Sequence, residues 1–82
     1  MRLDKYLKVS RLIKRREAAK EFIEKGYVFL NGKVAKPSSE VKEGDVLRIQ
    51  SPLGKVVTAR ILEVRPLSTV KDADQMYEVI SE

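Results

Sequence analysis

The sequence contains neither cysteine nor histidine. The absence of cysteine excludes disulfide bonds, thiolate zinc sites and a cysteine nucleophile. The absence of histidine removes imidazole metal ligands and the commonest general base near neutral pH. We therefore expect a protein that is not an enzyme and that has no cofactor and no metal.

Long apolar runs and aromatic residues are also scarce. No stretch approaches the roughly 20 apolar residues of a transmembrane helix, and the N-terminus lacks the apolar core of a signal peptide. This pattern predicts a cytoplasmic protein with no membrane partner. The chain has 82 residues, of which 43% are hydrophobic and 6% aromatic. We expect one small domain covering residues 1–82, a monomer with a core of Val, Leu and Ile.

The positive charge is concentrated near the N-terminus. The chain has a net charge of +5 and residues 17–82 are close to neutral, with ten basic and eleven acidic residues. Residues 2–16 carry seven basic residues and one acid, namely Arg2, Lys5, Lys8, Arg11, Lys14, Arg15, Arg16 and Asp4. Clustered cations favour a polyanionic ligand, because each one that neutralises a phosphate releases condensed counterions. A solvated helical face is the alternative interpretation.

The spacing of these cations predicts a break in the helix that carries them. From Arg2 to Lys14 a cation recurs at every third residue, which on one continuous helix would rotate by roughly 60° per step. Ser10 competes for backbone hydrogen bonds and therefore favours caps and turns. A break near Ser10 would let two short helices present their cations on one surface.

The first helix has a single apolar stripe. Leu3, Tyr6 and Leu7 follow helical spacing, so we expect Tyr6 in the core rather than stacked on a base. Asp4 lies in the first turn, where its carboxylate complements the helix dipole. We favour this structural role for Asp4 over direct contact with a nucleic acid.

Residues 15–25 form the clearest helical pattern in the chain. The apolar residues of this segment fall on one face, and Gly26 follows as a C-terminal cap. The helix dipole mildly disfavours the cations of Lys14, Arg15 and Arg16 at the start of this helix. Their clustering therefore suggests a use other than stability.

From residue 27 the hydrophobic period changes to two. Residues 27–30 and 33–36 flank Asn31-Gly32, a pair that tolerates the positive φ angles of a type I′ turn. This segment is predicted to be a β-hairpin. Its lysines, Lys33 and Lys36, either extend the basic surface or are simply solvated.

Two further strands are predicted at residues 46–50 and 55–65. In residues 55–65 the apolar residues occupy odd-numbered positions from Val57 to Ile61 and even-numbered positions from Leu62 onward. A bulge or burial on both faces of the strand would explain this shift. Residues 66–75 are polar and predicted to form a loop or a short helical turn. Residues 76–80 suit either a last strand or a helix.

Several of these residues together resemble a known family, the RNA-binding domain named after ribosomal protein S-four. The resemblance is carried, over roughly residues 1–50, by Arg2-Leu3-Asp4-Lys5, Leu7, Arg11, Lys14, Arg16, Ala19, Gly26, Val28, Asn31-Gly32, Lys36-Pro37-Ser38 and Gly44-Asp45. Within this family the chain is most similar to the stand-alone heat-shock-protein-fifteen type, and in length to its short branch known as RqcP.

The resemblance implies an α+β fold, with short N-terminal helices packed on a small antiparallel β-sheet. It implies binding to the large ribosomal subunit carrying an obstructed peptidyl-tRNA, between ribosomal RNA and tRNA, in support of alanine tailing of the stalled nascent chain. By position, the RNA-binding residues of the family fall on Arg2, Lys5, Arg11, Lys14, Arg15 and Arg16, with Asp4 between them. Lys8, Lys20, Lys33 and Lys36 are additional candidates. Arg16 is the strongest, because it opens the second helix and its planar fork suits phosphate.

Three other functions are alternatives to this one. An enzyme is disfavoured because Asp72 and Asp74, an acid-x-acid pair that could hold Mg²⁺, lie in a polar loop where solvation is commoner than metal binding. A membrane-surface protein is disfavoured because the apolar stripe of the first helix is small and is needed for the core. A general ribosomal-RNA-binding or assembly protein, without a tRNA-dependent role, stays open.

Overall fold

The structure is a computed structural model that describes residues 1–52, 54–64 and 75–81, with the backbone alone at residue 81. The described residues form α1 (Leu3–Val9), α2 (Arg16–Glu24), β1 (Val28–Leu30), β2 (Lys33–Val34), β3 (Val46–Gln50), β4 (Val56–Ile61) and β5 (Tyr77–Ser81). The strands form one antiparallel sheet in the order β2-β1-β3-β4-β5. This confirms the predicted α+β class. No helix in the described part of the chain combines the length and the apolarity needed to cross a membrane.

Both helices pack against one face of the sheet. The apolar stripe of α1 is fully buried, as expected, and it meets buried residues of α2 and of the strands. The central members of this core are Leu3, Tyr6, Leu7, Ala19, Ile23, Val28, Leu47, Ile61 and Met76. Full burial of one large aliphatic side chain contributes about 1.5–3 kcal/mol. The core therefore fixes both helices on the sheet, and this also fixes the position of the basic residues 2–16.

The predicted helix break at Ser10 is confirmed. The first helix ends at Val9, and Ser10 is fully buried behind it. The Ser10 hydroxyl donates to the carbonyl oxygen of Leu7 at 3.3 Å and accepts the backbone amide of Leu12 at 3.5 Å. Ser10 thus replaces the helical hydrogen bonds that the chain gives up where it turns.

The predicted glycine cap of the second helix is also confirmed. Gly26 has a φ of +81°, its amide donates to the carbonyl of Ile23, and the next amide, of Tyr27, donates to Phe22. The rings of Phe22 and Tyr27 meet edge to face at a centroid distance of 5.6 Å. These are the bonds and the apolar contact of a Schellman cap. The helix is one residue shorter at each end than predicted.

The Asn-Gly hairpin has the predicted backbone conformation. Asn31 and Gly32 have φ angles of +52° and +83°, as a type I′ turn requires. The strands are shorter than predicted, since β1 begins at Val28 and β2 ends at Val34. The Asn31 side chain also accepts the amide of Val46 at 2.9 Å, which ties the turn to the start of β3.

The third strand has its predicted bounds, whereas the fourth was predicted too long. The fourth strand ends at Ile61, because the amides of Leu62 and Glu63 both turn to the carbonyl of Met76. Leu62 is 42% exposed, so burial on both faces does not explain the switch of apolar positions. Leu62 and Glu63 instead oppose the single residue Met76, which is the two-to-one arrangement of a bulge at the end of the strand. The register irregularity of this sheet lies earlier in the strand, between Thr58 and Ala59.

Residues 76–80, which suit either a strand or a helix by sequence, contain most of the edge strand β5. The start of this strand is tied to α1 by Tyr6, whose hydroxyl donates to the carbonyl of Met76 at 2.8 Å. Burial, and to a lesser extent nearby Tyr77, raises the pKa of Tyr6, so its phenol stays protonated as a donor. The predicted loop and the Asp72–Asp74 pair lie outside the described residues, apart from Gln75.

Candidate RNA interface

Arg2 and Arg16 meet at the carboxylate of Asp4. One oxygen of Asp4 lies 3.3 Å from Nη2 of Arg2, and the other lies 3.7 Å from Nη2 of Arg16. The Asp4 side chain is only 3% exposed, whereas those of Arg2 and Arg16 are 54% and 50% exposed. A buried acid therefore holds two arginines whose guanidinium groups remain open to solvent.

The position of Asp4 is fixed by the segment that follows the hairpin. The amides of Leu3 and Asp4 donate to the carbonyls of Ser39 and Pro37, at 2.7 and 3.2 Å. The Asp4 carboxylate lies in the first turn of α1, as predicted, and it also accepts the amide of Lys5 at 2.8 Å. The first amides of α1 are therefore satisfied within the protein, and an anion at this place would bind to side chains.

Arg16 reaches Asp4 because of how the second helix is packed. Ala19 and Ile23 are buried against the core, which fixes the rotation of α2 about its axis. Arg16 is the first helical residue, and Arg15 precedes it in an extended conformation without a side-chain cap. The segment between the helices thus brings the starts of both together, although Arg2 and Arg16 are far apart in sequence.

Around this ion-paired cluster the surface forms a shallow depression with a volume of about 280 Å³. Its lining residues are Arg2, Asp4, Arg16, Glu17 and Lys20. Lys20 lies four residues after Arg16 and therefore on the same side of the helix. The half-exposed guanidinium groups and the ammonium of Lys20 offer a phosphate several charge-assisted hydrogen bonds. We define these five residues as the arginine cluster.

Among the described residues, the other predicted members of residues 2–16 neither line this depression nor form ion pairs with the cluster. Lys5 is half-buried, while the remaining members are exposed, namely Lys8, Arg11, Lys14 and Arg15. Arg11 has a φ of +63°, which the sequence did not indicate. The structure therefore brings together Arg2, Asp4, Arg16 and Lys20 in particular.

The two hairpin lysines differ in where the structure places them. Both are exposed. The amide of Lys36 donates to the Ser39 hydroxyl at 2.9 Å, and Lys36 directly precedes Pro37, whose carbonyl accepts the Asp4 amide. Lys36 therefore lies beside the start of α1, whereas Lys33 lies in the edge strand β2.

One member of the arginine cluster, Glu17, was missed by sequence reasoning. The sequence did not decide whether this acid meets a basic partner or solvates the second helix, and in the structure it lines the depression together with Arg16. Its position directly after the strongest candidate was the available signal. No group of three or more acidic or other metal-ligating side chains comes together among the described residues.

The fold and this basic surface define a small α+β domain of the RNA-binding class. Residues 1–47 match the family model described as the S4 domain. This segment is more than half of the chain and contains the basic residues 2–16, both helices and the hairpin. The chain belongs to the S4 domain family.

Similar proteins extend this likeness over the whole chain. It is 53% identical to the "RQC P-site tRNA stabilizing factor" of Listeria monocytogenes over 83 aligned positions, covering 100% of this chain and 88% of the relative. It is 46% identical to the protein of the same name from Bacillus subtilis, covering 100% of this chain and 94% of the relative. A structure of heat shock protein 15 from Vibrio cholerae, described as trimeric, superposes with a TM-score of 0.88 at 30% identity, covering 99% of this chain and 82% of that one.

Proposed function

We propose that this protein is a non-catalytic RNA-binding factor of ribosome-associated quality control in the cytoplasm. In this role it binds the large ribosomal subunit at ribosomal RNA and peptidyl-tRNA and stabilises the tRNA in the P site. It thereby supports alanine tailing of the stalled nascent chain. The relatives named P-site tRNA stabilizing factors support this role, because the likeness spans all of this chain.

The single observation that carries RNA binding is the arginine pair held by Asp4. Two guanidinium groups, one from the residue before α1 and one from the first residue of α2, lie within 3.7 Å of one carboxylate, and both side chains are still about half exposed. Because they are oriented before any ligand arrives, less side-chain freedom is lost when a phosphate binds. Such a site recognises the backbone of a folded RNA by its shape, which suits a surface with few exposed aromatic residues.

The proposed mechanism requires no chemical step by the protein. A factor that contacts ribosomal RNA and tRNA at once binds one tRNA position more tightly than the others. It shifts the population toward that position by the difference in affinity alone. A tenfold difference corresponds to about 1.4 kcal/mol, which one or two charge-assisted contacts can supply.

We propose that one copy of the protein acts at each subunit. The Vibrio cholerae relative is described as a trimer, so the oligomeric state of this chain has to be measured. Sedimentation equilibrium at micromolar concentration should give the 9.4 kDa mass of a single chain. A stable mass three times larger would replace this part of the proposal with a trimer.

The function is tested by co-sedimentation with purified large ribosomal subunits, with and without peptidyl-tRNA. Wild type should bind the subunits that carry tRNA more tightly, and Arg16→Ala should weaken binding by about tenfold, as expected for a lost arginine–phosphate contact. The matched control is Arg60→Ala, which removes the same charge. Arg60 is exposed on β4 between buried Ala59 and Ile61, so it lies on the sheet face opposite the helices.

Each outcome of this experiment distinguishes between functions. Tight binding that ignores tRNA would favour a general ribosomal-RNA-binding or assembly protein. An effect of Arg60→Ala as large as that of Arg16→Ala would mean that net charge, rather than the arginine cluster, determines binding. No binding to either kind of subunit would refute the proposal.

A further inference from the structure

Asn31 is the only asparagine of the chain, and Gly32 follows it directly at the tip of the hairpin. Asparagine is a thermolabile residue, because the backbone nitrogen that follows it can attack its side-chain carbonyl carbon. A glycine at the next position presents this nitrogen without a side chain in the way. Asn31 is also exposed to water. Sequence and exposure therefore make Asn31 the residue of this chain most susceptible to deamidation.

The reaction at Asn31 has two steps and consumes only water. In the first step, the nitrogen of Gly32 bonds to Cγ of Asn31, the bond from Cγ to Nδ2 breaks, and ammonia leaves with the proton of the Gly32 amide. In the second step, water adds to one of the two carbonyls of the five-membered imide and opens the ring. The product is aspartate or isoaspartate at position 31, with no oxidation or reduction.

The backbone of the native hairpin opposes the first step. Asn31 has a φ of +52° in the type I′ turn. This turn places the Cβ of Asn31 and the nitrogen that follows it on opposite sides of the Cα–C bond, whereas the imide ring requires them on the same side. Ring closure therefore has to wait until the hairpin opens locally.

The Asn31 side chain is held in addition by two hydrogen bonds at the start of β3. Its Nδ2 donates to one carboxylate oxygen of Asp45 at 3.1 Å, and its Oδ1 accepts the amide of Val46 at 2.9 Å. Asp45 is itself fixed, because its other oxygen accepts the amide of Lys42 at 2.9 Å. A backbone amide only donates and an ionised carboxylate only accepts, so a side-chain amide fits this place in one orientation.

The product of deamidation fits the same place poorly. An aspartate at position 31 can still accept the Val46 amide, but its second oxygen has no hydrogen to donate and faces the Asp45 carboxylate. A hydrogen bond between Asn31 and Asp45 is thus replaced by repulsion between two negative charges. Isoaspartate also lengthens the backbone of a turn that has only two residues.

We propose that Asn31 is a deamidation site that the native hairpin protects through its turn and its contact with Asp45, and that the product destabilises the hairpin. A chain that stays unfolded for long enough thereby acquires a permanent chemical change and refolds with lower stability. The inference goes beyond the proposed function and is independent of it, because it involves no RNA.

The first experiment measures the rate of deamidation of the full chain by peptide mass spectrometry, in mildly alkaline buffer with and without urea. Folded wild type should react about tenfold more slowly than the unfolded chain, because only opened hairpins react. Asp45→Ala should raise the rate of the folded protein about fivefold and leave the rate in urea unchanged. The control is Gly26→Ala, which strains the end of α2 instead of the hairpin turn and should stay within about twofold of wild type.

The second experiment measures the effect of the product on stability. Asn31→Asp should lower the Tm by about 4 °C at neutral pH. Adding Asp45→Asn to this variant exchanges the amide and the carboxylate across the same hydrogen bond. The double variant should therefore recover about half or more of the lost Tm.

Each result supports or overturns the inference. Equal rates with and without urea would show that the hairpin does not protect Asn31. Equal acceleration by Asp45→Ala and Gly26→Ala would mean that global stability, rather than the Asp45 contact, controls the reaction. An Asn31→Asp variant as stable as wild type, or a double variant no more stable than Asn31→Asp, would refute the repulsion by Asp45.

Discussion

The carboxylate of Asp4 lies 3.7 Å from the guanidinium of Arg16, and this ion pair joins the starts of the two helices. Asp4 is almost fully buried, while Arg16 is half exposed. A negative charge within a surface that binds RNA repels phosphate, yet here the same charge orients the arginines. The two effects have opposite signs, so an experiment can decide which of them dominates.

We predict that Asp4→Asn weakens RNA binding although it makes the protein more positive. Repulsion between unit charges about 6 Å apart in water amounts to about 0.7 kcal/mol, so removing it alone would tighten binding about threefold. Loss of the ion pairs frees two arginines, and we expect this loss to outweigh the gain, with a net weakening of about fivefold. The measurement is binding to large ribosomal subunits across a salt series, with thermal unfolding to establish that the variant is folded.

Glu17→Gln is the matched control for this prediction. Glu17 lines the same depression but makes no ion pair with the cluster among the described residues. Its removal should therefore show the electrostatic effect alone and leave binding equal or slightly tighter. If Asp4→Asn also tightens binding, Asp4 does not position the arginines.

We predict that Tyr6→Phe lowers stability by about 1 kcal/mol at neutral pH, or about 4–8 °C in Tm. The hydroxyl of Tyr6 donates to the Met76 carbonyl, which ties α1 to the segment that leads into β5. The cost stays moderate because Leu62 and Glu63 still donate their amides to that carbonyl. Urea unfolding of the variant and of wild type measures the difference.

The same pair of proteins should differ in its response to alkaline pH. Burial raises the pKa of Tyr6 above its ordinary value near 10, so the unfolded chain loses this proton before the folded one does. The resulting stability is present below about pH 10 and is lost as the pH rises further. The difference in stability between wild type and Tyr6→Phe should therefore fall by about 1 kcal/mol between pH 10 and 11, which removes most of the advantage of wild type. A constant difference over this range would contradict the assigned burial.

We predict that Gly26→Ala destabilises the fold by about 1–2 kcal/mol without changing RNA affinity. Gly26 has a φ of +81°, and beyond its two chain neighbours no residue has an atom within 4 Å of the place where a Cβ would stand. The cost is therefore one of backbone conformation rather than of a clash. Gly26→Asn should cost less, because asparagine tolerates this region. Equal losses for both substitutions, measured by urea unfolding, would show that side-chain packing matters instead.

The features that were predicted from sequence depend on neighbouring residues. The break at Ser10, the cap at Gly26 and the Asn31-Gly32 turn follow from side-chain hydrogen bonding and from allowed φ angles. The apolar stripe with Tyr6 follows from the helical period. Each of these signals is contained within about one turn of chain, so a single sequence is sufficient to read it.

The features that were missed depend on contacts between distant residues. The early end of β4 results from Met76, whose carbonyl takes the amides of Leu62 and Glu63. Asp4 was given a role within its own helix, because the sequence does not show that Arg16 packs beside it. The left-handed backbone of Arg11 results from packing on both sides of a turn. None of these arrangements leaves a periodic pattern in the sequence.

The last prediction concerns how far the proposed RNA interface extends along the hairpin. Lys36 is held beside the start of α1, because its amide donates to Ser39 and the carbonyl of Ser39 accepts the amide of Leu3. Lys33 belongs to the short edge strand β2. Lys36→Ala should weaken binding to large ribosomal subunits about threefold and reduce the salt slope by about one, whereas Lys33→Ala should change affinity by less than about 1.5-fold. The two variants lose the same charge from the same hairpin. A larger effect of Lys33→Ala would therefore place the RNA across the sheet edge and away from the arginine cluster.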